Sequence, residues 1–259
     1  MNPAGALALK LVLTPLLVGA ASLAGRRWGS AVGGWLIGIP FTSAPIAFFL
    51  ALSPGPRFAA TAAAGIMAGA VSQAAFCLAY SWAAQRRGWI LCLVLATAAY
   101  GAVTAFLNLF FLPALDSFVV VILVLVVSLF LMPEQRTPSA APTEFPQWDI
   151  PARMVVATGF VILLTAAAPL LGARLAGLLA PFPLYGSVLA GFAHRIQGTE
   201  PAVGVLRGLL LGLFAFASFF LVLALLLPAG LVVAFASAII AALVVQGASL
   251  VTGRRLGLA

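Results

Sequence analysis

The chain has 259 residues, of which 64% are hydrophobic and 7% charged, and its mean hydropathy is +1.21. Soluble domains carry about 25% charged residues, so the composition excludes one and indicates a polytopic membrane protein. The net charge of +8 comes from 13 basic residues against five acidic ones, and with no soluble domain to carry a solvated basic face, nucleic acid is excluded as a partner.

Crossing a bilayer takes about 20 apolar residues, and that ruler gives nine spans, at roughly 5–25, 31–52, 58–84, 89–112, 114–132, 152–171, 175–193, 202–227 and 229–251. The first contains Lys10 and Pro15 and lacks a basic leader, so it reads as a membrane helix and not as a cleaved signal. The second is interrupted by Gly38-Ile39-Pro40-Phe41-Thr42-Ser43-Ala44-Pro45. Prolines there remove ladder hydrogen bonds, and the freed carbonyls must face protein or a polar cavity because hydrocarbon offers no partner. The third and fourth spans hold Cys77 and Cys92, read as buried free thiols. After the fifth, residues 134–151 form a Pro-rich linker with most of the acidic residues, expected as a mobile surface loop. The seventh span carries a second interruption, Ala180-Pro181-Phe182-Pro183-Leu184-Tyr185-Gly186-Ser187.

Counting basic residues orients the chain. Nine crossings place Arg26, Arg27, Arg86, Arg87, Arg136, Arg153, Arg195, Arg207, Arg254 and Arg255 on one side, and Lys10, Arg57 and Arg174 on the other. The arginine-rich side is expected to be cytoplasmic, with the N-terminus outside and the C-terminus inside.

The halves repeat. At an offset of 143, Gly29, Gly34, Gly55, Gly65 and Gly69 fall on Gly172, Gly177, Gly198, Gly208 and Gly212, and Pro40 falls on Pro183. Phe76 falls on Phe219, Ala47 on Ala190, and Lys10 on Arg153. The expected fold is therefore an all-α membrane protein of two four-helix repeats, 1–112 and 152–259, joined by a linking helix at 113–133. An odd number of crossings before the second repeat inverts it, an architecture recurrent in secondary transporters with the site at the repeat interface.

Gly177-Leu178-Leu179-Ala180-Pro181-Phe182-Pro183, the apolar turns to His194, and Gln197-Gly198-Thr199-Glu200 resemble the small four-helix GlpM family of bacterial inner-membrane proteins. The first half repeats the outline as Gly38-Ile39-Pro40-Phe41-Thr42-Ser43, so the resemblance implies a fused, inverted pair of GlpM-like units in a bacterial inner membrane. It implies no particular reaction. Pro45 has no counterpart at Val188, and Tyr185 stands where the first half has Thr42, so the two half-sites would differ chemically.

Candidate substrate-binding residues are those at the breaks, Pro40, Thr42, Ser43, Pro183, Tyr185 and Ser187, where hydroxyls meet freed backbone groups. The competing reading is a pair of kinks whose hydroxyls repair their own backbone. Gln73, Asn108 and Gln246 are amides in apolar spans that should face the bundle interior, with Gln73 the first candidate for lining a path. Lys10, Arg153 and Arg207 either snorkel to headgroups or form cationic gates for an anion. The Gly65/Gly69 and Gly208/Gly212 pairs read as close-packing faces, and His194 as an interfacial histidine.

No nucleotide-binding motif, metal cluster or catalytic constellation stands out, so neither a cofactor, nor a metal, nor an enzyme is expected. The expected function is a secondary transporter or facilitator for a small solute, anionic or amphipathic. A lipid or lipid-linked glycan translocase and a non-transporting scaffold are the alternatives. Membrane lipids and a small-molecule or lipid-like substrate are the implied partners, and a homo-oligomer is compatible with the sequence.

Overall fold

The computed structural model describes residues 3–40, 43–52, 55–110, 112–134, 148–156, 158–159 and 181–255. Among these residues every regular element is a helix and none is a strand. The helices are α1 (Pro3–Trp28), α2 (Ser30–Ile37), α3 (Ser43–Leu52), α4 (Pro56–Ala83), α5 (Trp89–Leu107), α6 (Ala114–Leu131), α7 (Leu184–Gln197), α8 (Thr199–Leu226) and α9 (Leu231–Arg255). A 3₁₀ turn, Leu227–Ala229, joins α8 to α9, and residues 149–156 and 158–159 are helical as well.

Five of these elements are long and apolar enough to cross a bilayer: Pro56–Ala83, Trp89–Leu107, Ala114–Leu131, Thr199–Ala229 and Leu231–Gly253. The protein is an all-α membrane protein. Burial ranks the five. In their most apolar stretches α4 and α8 are 56% and 61% buried, against 17–28% for the other three, so α4 and α8 form the centre. The outer helices turn Val94, Leu123 and Val232 outward, an apolar surface suited to lipid and unsuited to water.

Both central helices contain 28 residues, and each is preceded by a glycine with positive φ, Gly55 at 132° and Gly198 at 96°. Side chains with a Cβ rarely adopt that backbone, and it lets the chain turn directly into the new helix. Thr199, which opens α8, donates its Oγ1 proton to the carbonyl of Ala84 just past the end of α4, at 3.0 Å. Helix α8 thus starts where α4 stops, and the two pack antiparallel.

The same end of the bundle gathers several other contacts. Trp82 Nε1 donates to Leu131 O at 2.9 Å, Arg207 donates to Pro133 O at 2.7 Å, and Arg26 pairs with Asp149 at 2.9 Å. Each of these contacts joins chain positions that positive-inside counting assigns to one membrane face.

Helix α2 lies on α8 with almost no side chain between them. A Cβ at Gly212 would sit 2.6 Å from Trp35 O and 2.7 Å from Gly38 Cα. Gly34 meets the backbone of Val205, and Gly208 that of Ala31. Small residues allow this approach, and van der Waals contact between backbones supplies the attraction where apolar burial from lipid supplies little.

The structure departs from the sequence expectations at several ends. The second span is two helices, α2 and α3. Helix α5 stops at Leu107, so Asn108 is its exposed C-terminal cap and does not face the interior. The eighth element starts three residues earlier than expected, at Thr199, and α7 runs on to Gln197. The linker is not solvated at its far end: Asp149 is fully buried, because Arg26 and Arg153 each bond one of its carboxylate oxygens. Much of that linker and of the sixth and seventh spans (135–147, 157 and 160–180) lies outside the described residues.

Candidate functional site

The two interrupted segments meet. Helix α2 tightens at its last turn, where Gly38 N bonds Trp35 O at 3.2 Å and Ile39 N bonds Leu36 O at 3.4 Å, the i→i+3 pattern of a helix about to end. Pro40 O then accepts from Ala44 N at 2.9 Å, which opens α3. In the second segment Pro181, Phe182 and Pro183 are non-helical, and Pro183 O accepts from Ser187 N at 2.8 Å to open α7.

Each break is fixed by the central helix of the other half. Gly38 abuts Gly212 of α8, and Pro181 abuts Gly69 of α4, where an added Cβ would meet Pro181 Cγ at 2.6 Å. Phe182 is locked further, edge-on to Phe76 and to Tyr100 with ring centroids 6.0 and 5.2 Å apart. Such edge-to-face pairs are worth about 0.5–1.5 kcal/mol each beyond burial. Sequence reasoning missed Phe182 and Tyr100 as supports, since no local pattern announces a partner 82 residues away.

Between the breaks lies a cavity of about 40 Å³, room for roughly three waters. Its polar lining includes Ser43, Gln73 and Tyr185, with Pro40 and Pro183 at the two breaks. Gln73 is 5% exposed and Ser43 1% exposed, yet neither side chain has a hydrogen-bond partner among the described residues. Neither is among the fully enclosed unpaired polar atoms of the described residues, so their polar ends are open to water or a polar ligand at the cavity. No charged residue lines the cavity among the described ones.

Five of the sequence-selected residues are thus brought together: Pro40, Ser43, Gln73, Pro183 and Tyr185. Others are not. Ser187 is absent from the lining and donates its hydroxyl to Leu184 O at 2.8 Å, a local back-bond. Arg153 pairs with Asp149 and Arg207 reaches Pro133 O, so neither cation lines this cavity. Thr42 and the side chain of Lys10 lie outside the described residues. Gln246 faces inward as expected and donates to Trp35 O at 2.8 Å. His194 is paired: its Nδ1 is 3.2 Å from the hydroxyl of Tyr80. Cys77 and Cys92 are buried free thiols.

No family model, curated protein or solved structure matches the chain.

Proposed function

We propose that the protein is a secondary transporter or facilitator, carrying a small polar solute across a bacterial inner membrane by alternating access at the cavity between the two breaks. The observation that carries this reading is the pair of unpartnered, buried polar side chains, Ser43 and Gln73, at a cavity where two interrupted helices converge. A scaffold gains nothing from such groups; a site that must release its ligand on both sides needs them.

The reading includes an inverted-topology pair of repeats. Helices α4 and α8 are equal in length, start 143 residues apart and run antiparallel. The same offset turns the Gly38–Gly212 contact into Pro181–Gly69. Neighbouring antiparallel copies are related by a half-turn about an axis in the membrane plane, the arrangement in which broken helices meet near the midplane. The grouping of arginines supports a cytoplasmic C-terminus. The uncharged lining favours a solute whose buried part is neutral and polar.

The test is a solute-flux screen in proteoliposomes, comparing the wild type with Gln73→Leu and Ser43→Ala. Since neither group holds a partner, removing it sacrifices no internal hydrogen bond. Thermal stability is therefore retained, while flux drops about tenfold or more. Wild-type flux in the double variant would reduce both breaks to structural kinks.

A further inference from the structure

The cavity between the breaks is bounded by helix ends of both polarities. Ile37, Gly38 and Ile39, where α2 runs out, line it, and the end of a helix carries partial negative charge on its last carbonyls. Ser43, which opens α3, and Gly186, in the first turn of α7, line it as well, and the start of a helix carries the opposite sign. Ser43 and Gly186 correspond at the offset of 143, so each break delivers one helix start to the same space.

The start of α7 carries no side-chain cap. Leu184 N donates to Phe182 O and Ser187 N to Pro183 O, both at 2.8 Å, while no backbone carbonyl among the described residues accepts from Gly186 N. A first-turn N–H points back out of its helix, here towards the break. On the same cavity stand Ser43 and Gln73, 1% and 5% exposed, without hydrogen-bond partners among the described residues and with polar atoms that are not enclosed. The side chain of Gln73 presents an NH₂ donor and a carbonyl acceptor side by side. Donors from Ser43, Gly186 and Gln73 therefore meet an acceptor from Gln73 and the carbonyl end of α2 in one small space.

We propose that this cavity takes a small neutral amide, a molecule of the primary carboxamide or urea class, held by Gln73 through paired hydrogen bonds; that this molecule is the transported solute rests on the transport reading. A planar amide carries a carbonyl acceptor beside N–H donors. It answers Gln73 with two parallel bonds, the pairing by which glutamine reads the edge of adenine. Its oxygen has a second lone pair for Ser43 or Gly186, and its remaining N–H is matched to the carbonyl end of α2. An alcohol, with donor and acceptor on one atom, cannot span the Gln73 amide. An ion fits worse still. No charged residue lines the cavity among the described ones, an anion would face the end of α2, and a cation would face the starts of α3 and α7. Burying a charge without a counter-charge is costly. The volume agrees: about 40 Å³ holds roughly three waters, the room of a molecule of about four non-hydrogen atoms.

The test uses three molecules of one shape and different charge: acetamide, acetate and acetamidinium. Each carries a methyl group whose saturation-transfer NMR signal reports binding to the full-length chain in micelles. Wild-type protein should bind acetamide saturably, with dissociation constants for the two ions higher by about tenfold or more, the discrimination expected where a mismatch leaves polar groups unpaired. Gln73→Leu should abolish the acetamide signal. Gln73→Glu puts an acceptor-only carboxylate in the same place and should turn the preference towards acetamidinium. Absence of saturable acetamide binding, equal binding by the wild type and Gln73→Leu, or tighter binding of either ion by the wild type would overturn the proposal. Should a variant fail to fold, the ranking of the three molecules by the wild type still decides. Acetamide bound by a protein that moves no solute would refute transport and leave the amide site standing. Flux of another solute through a protein that ignores acetamide would refute the amide site and leave transport standing.

Discussion

Replacing Gly212 by Ala tests how the first break is held. The new methyl would stand 2.6 Å from Trp35 O and 2.7 Å from Gly38 Cα. Both are backbone atoms, so no side chain can swing aside, and α2 must move off α8 by a large fraction of an ångström. Overpacking of this kind costs about 1–3 kcal/mol. The proper control is Gly101→Ala, in the exposed middle of α5, where nothing lies within 4 Å. That change removes only glycine's conformational cost and should stabilise by about 0.5–1 kcal/mol. The two variants should therefore differ by about 1.5–4 kcal/mol. Unfolding by sodium dodecyl sulfate in mixed micelles, followed by circular dichroism, reads the difference. Equal stability of the two variants would refute the backbone contact between α2 and α8, and with it the account of how Gly38 is placed at the cavity.

Trp35→Phe removes the indole bonds to Gln246 O and Ser249 Oγ, both 3.1 Å, and should cost about 1 kcal/mol in the same assay. Asp149→Asn leaves Arg26 and Arg153 facing each other without their shared carboxylate. It should destabilise by about 3 kcal/mol in the same assay. Reporter fusions after Ala259 and within residues 137–144 should both read cytoplasmic; a periplasmic signal from either would contradict the nine-crossing topology.

The helices were legible because length and apolarity decide crossing in a bilayer, and the breaks because proline cannot donate to the ladder. Among the glycines that recur at the offset of 143, Gly34, Gly208 and Gly212 stand where α2 and α8 bring backbone against backbone and a Cβ would clash. Ser43 and Gln73 were legible as polar groups with no place in lipid. What sequence could not carry were choices between partners. Ser187 bonds its own turn because Leu184 O is three residues away and closer than any ligand, a competition that hydroxyls near helix starts commonly settle locally. Asp149 sits in a Pro-rich run whose composition signals exposure, and only Arg26, 123 positions distant, together with Arg153 draws it inside. Asn108 ends a helix that the apolar run suggested would continue.

Under the proposed transport function, the cavity between the breaks opens to each side of the membrane in turn. Ser43→Cys, in a chain with Cys77 and Cys92 replaced by Ala, measures it without knowledge of the solute. A membrane-impermeant thiol reagent, applied to right-side-out and then to inside-out vesicles, should modify position 43 from both faces, because a site with alternating access is wetted from each in turn. Modification from one face only, or from neither, would contradict alternating access at this cavity.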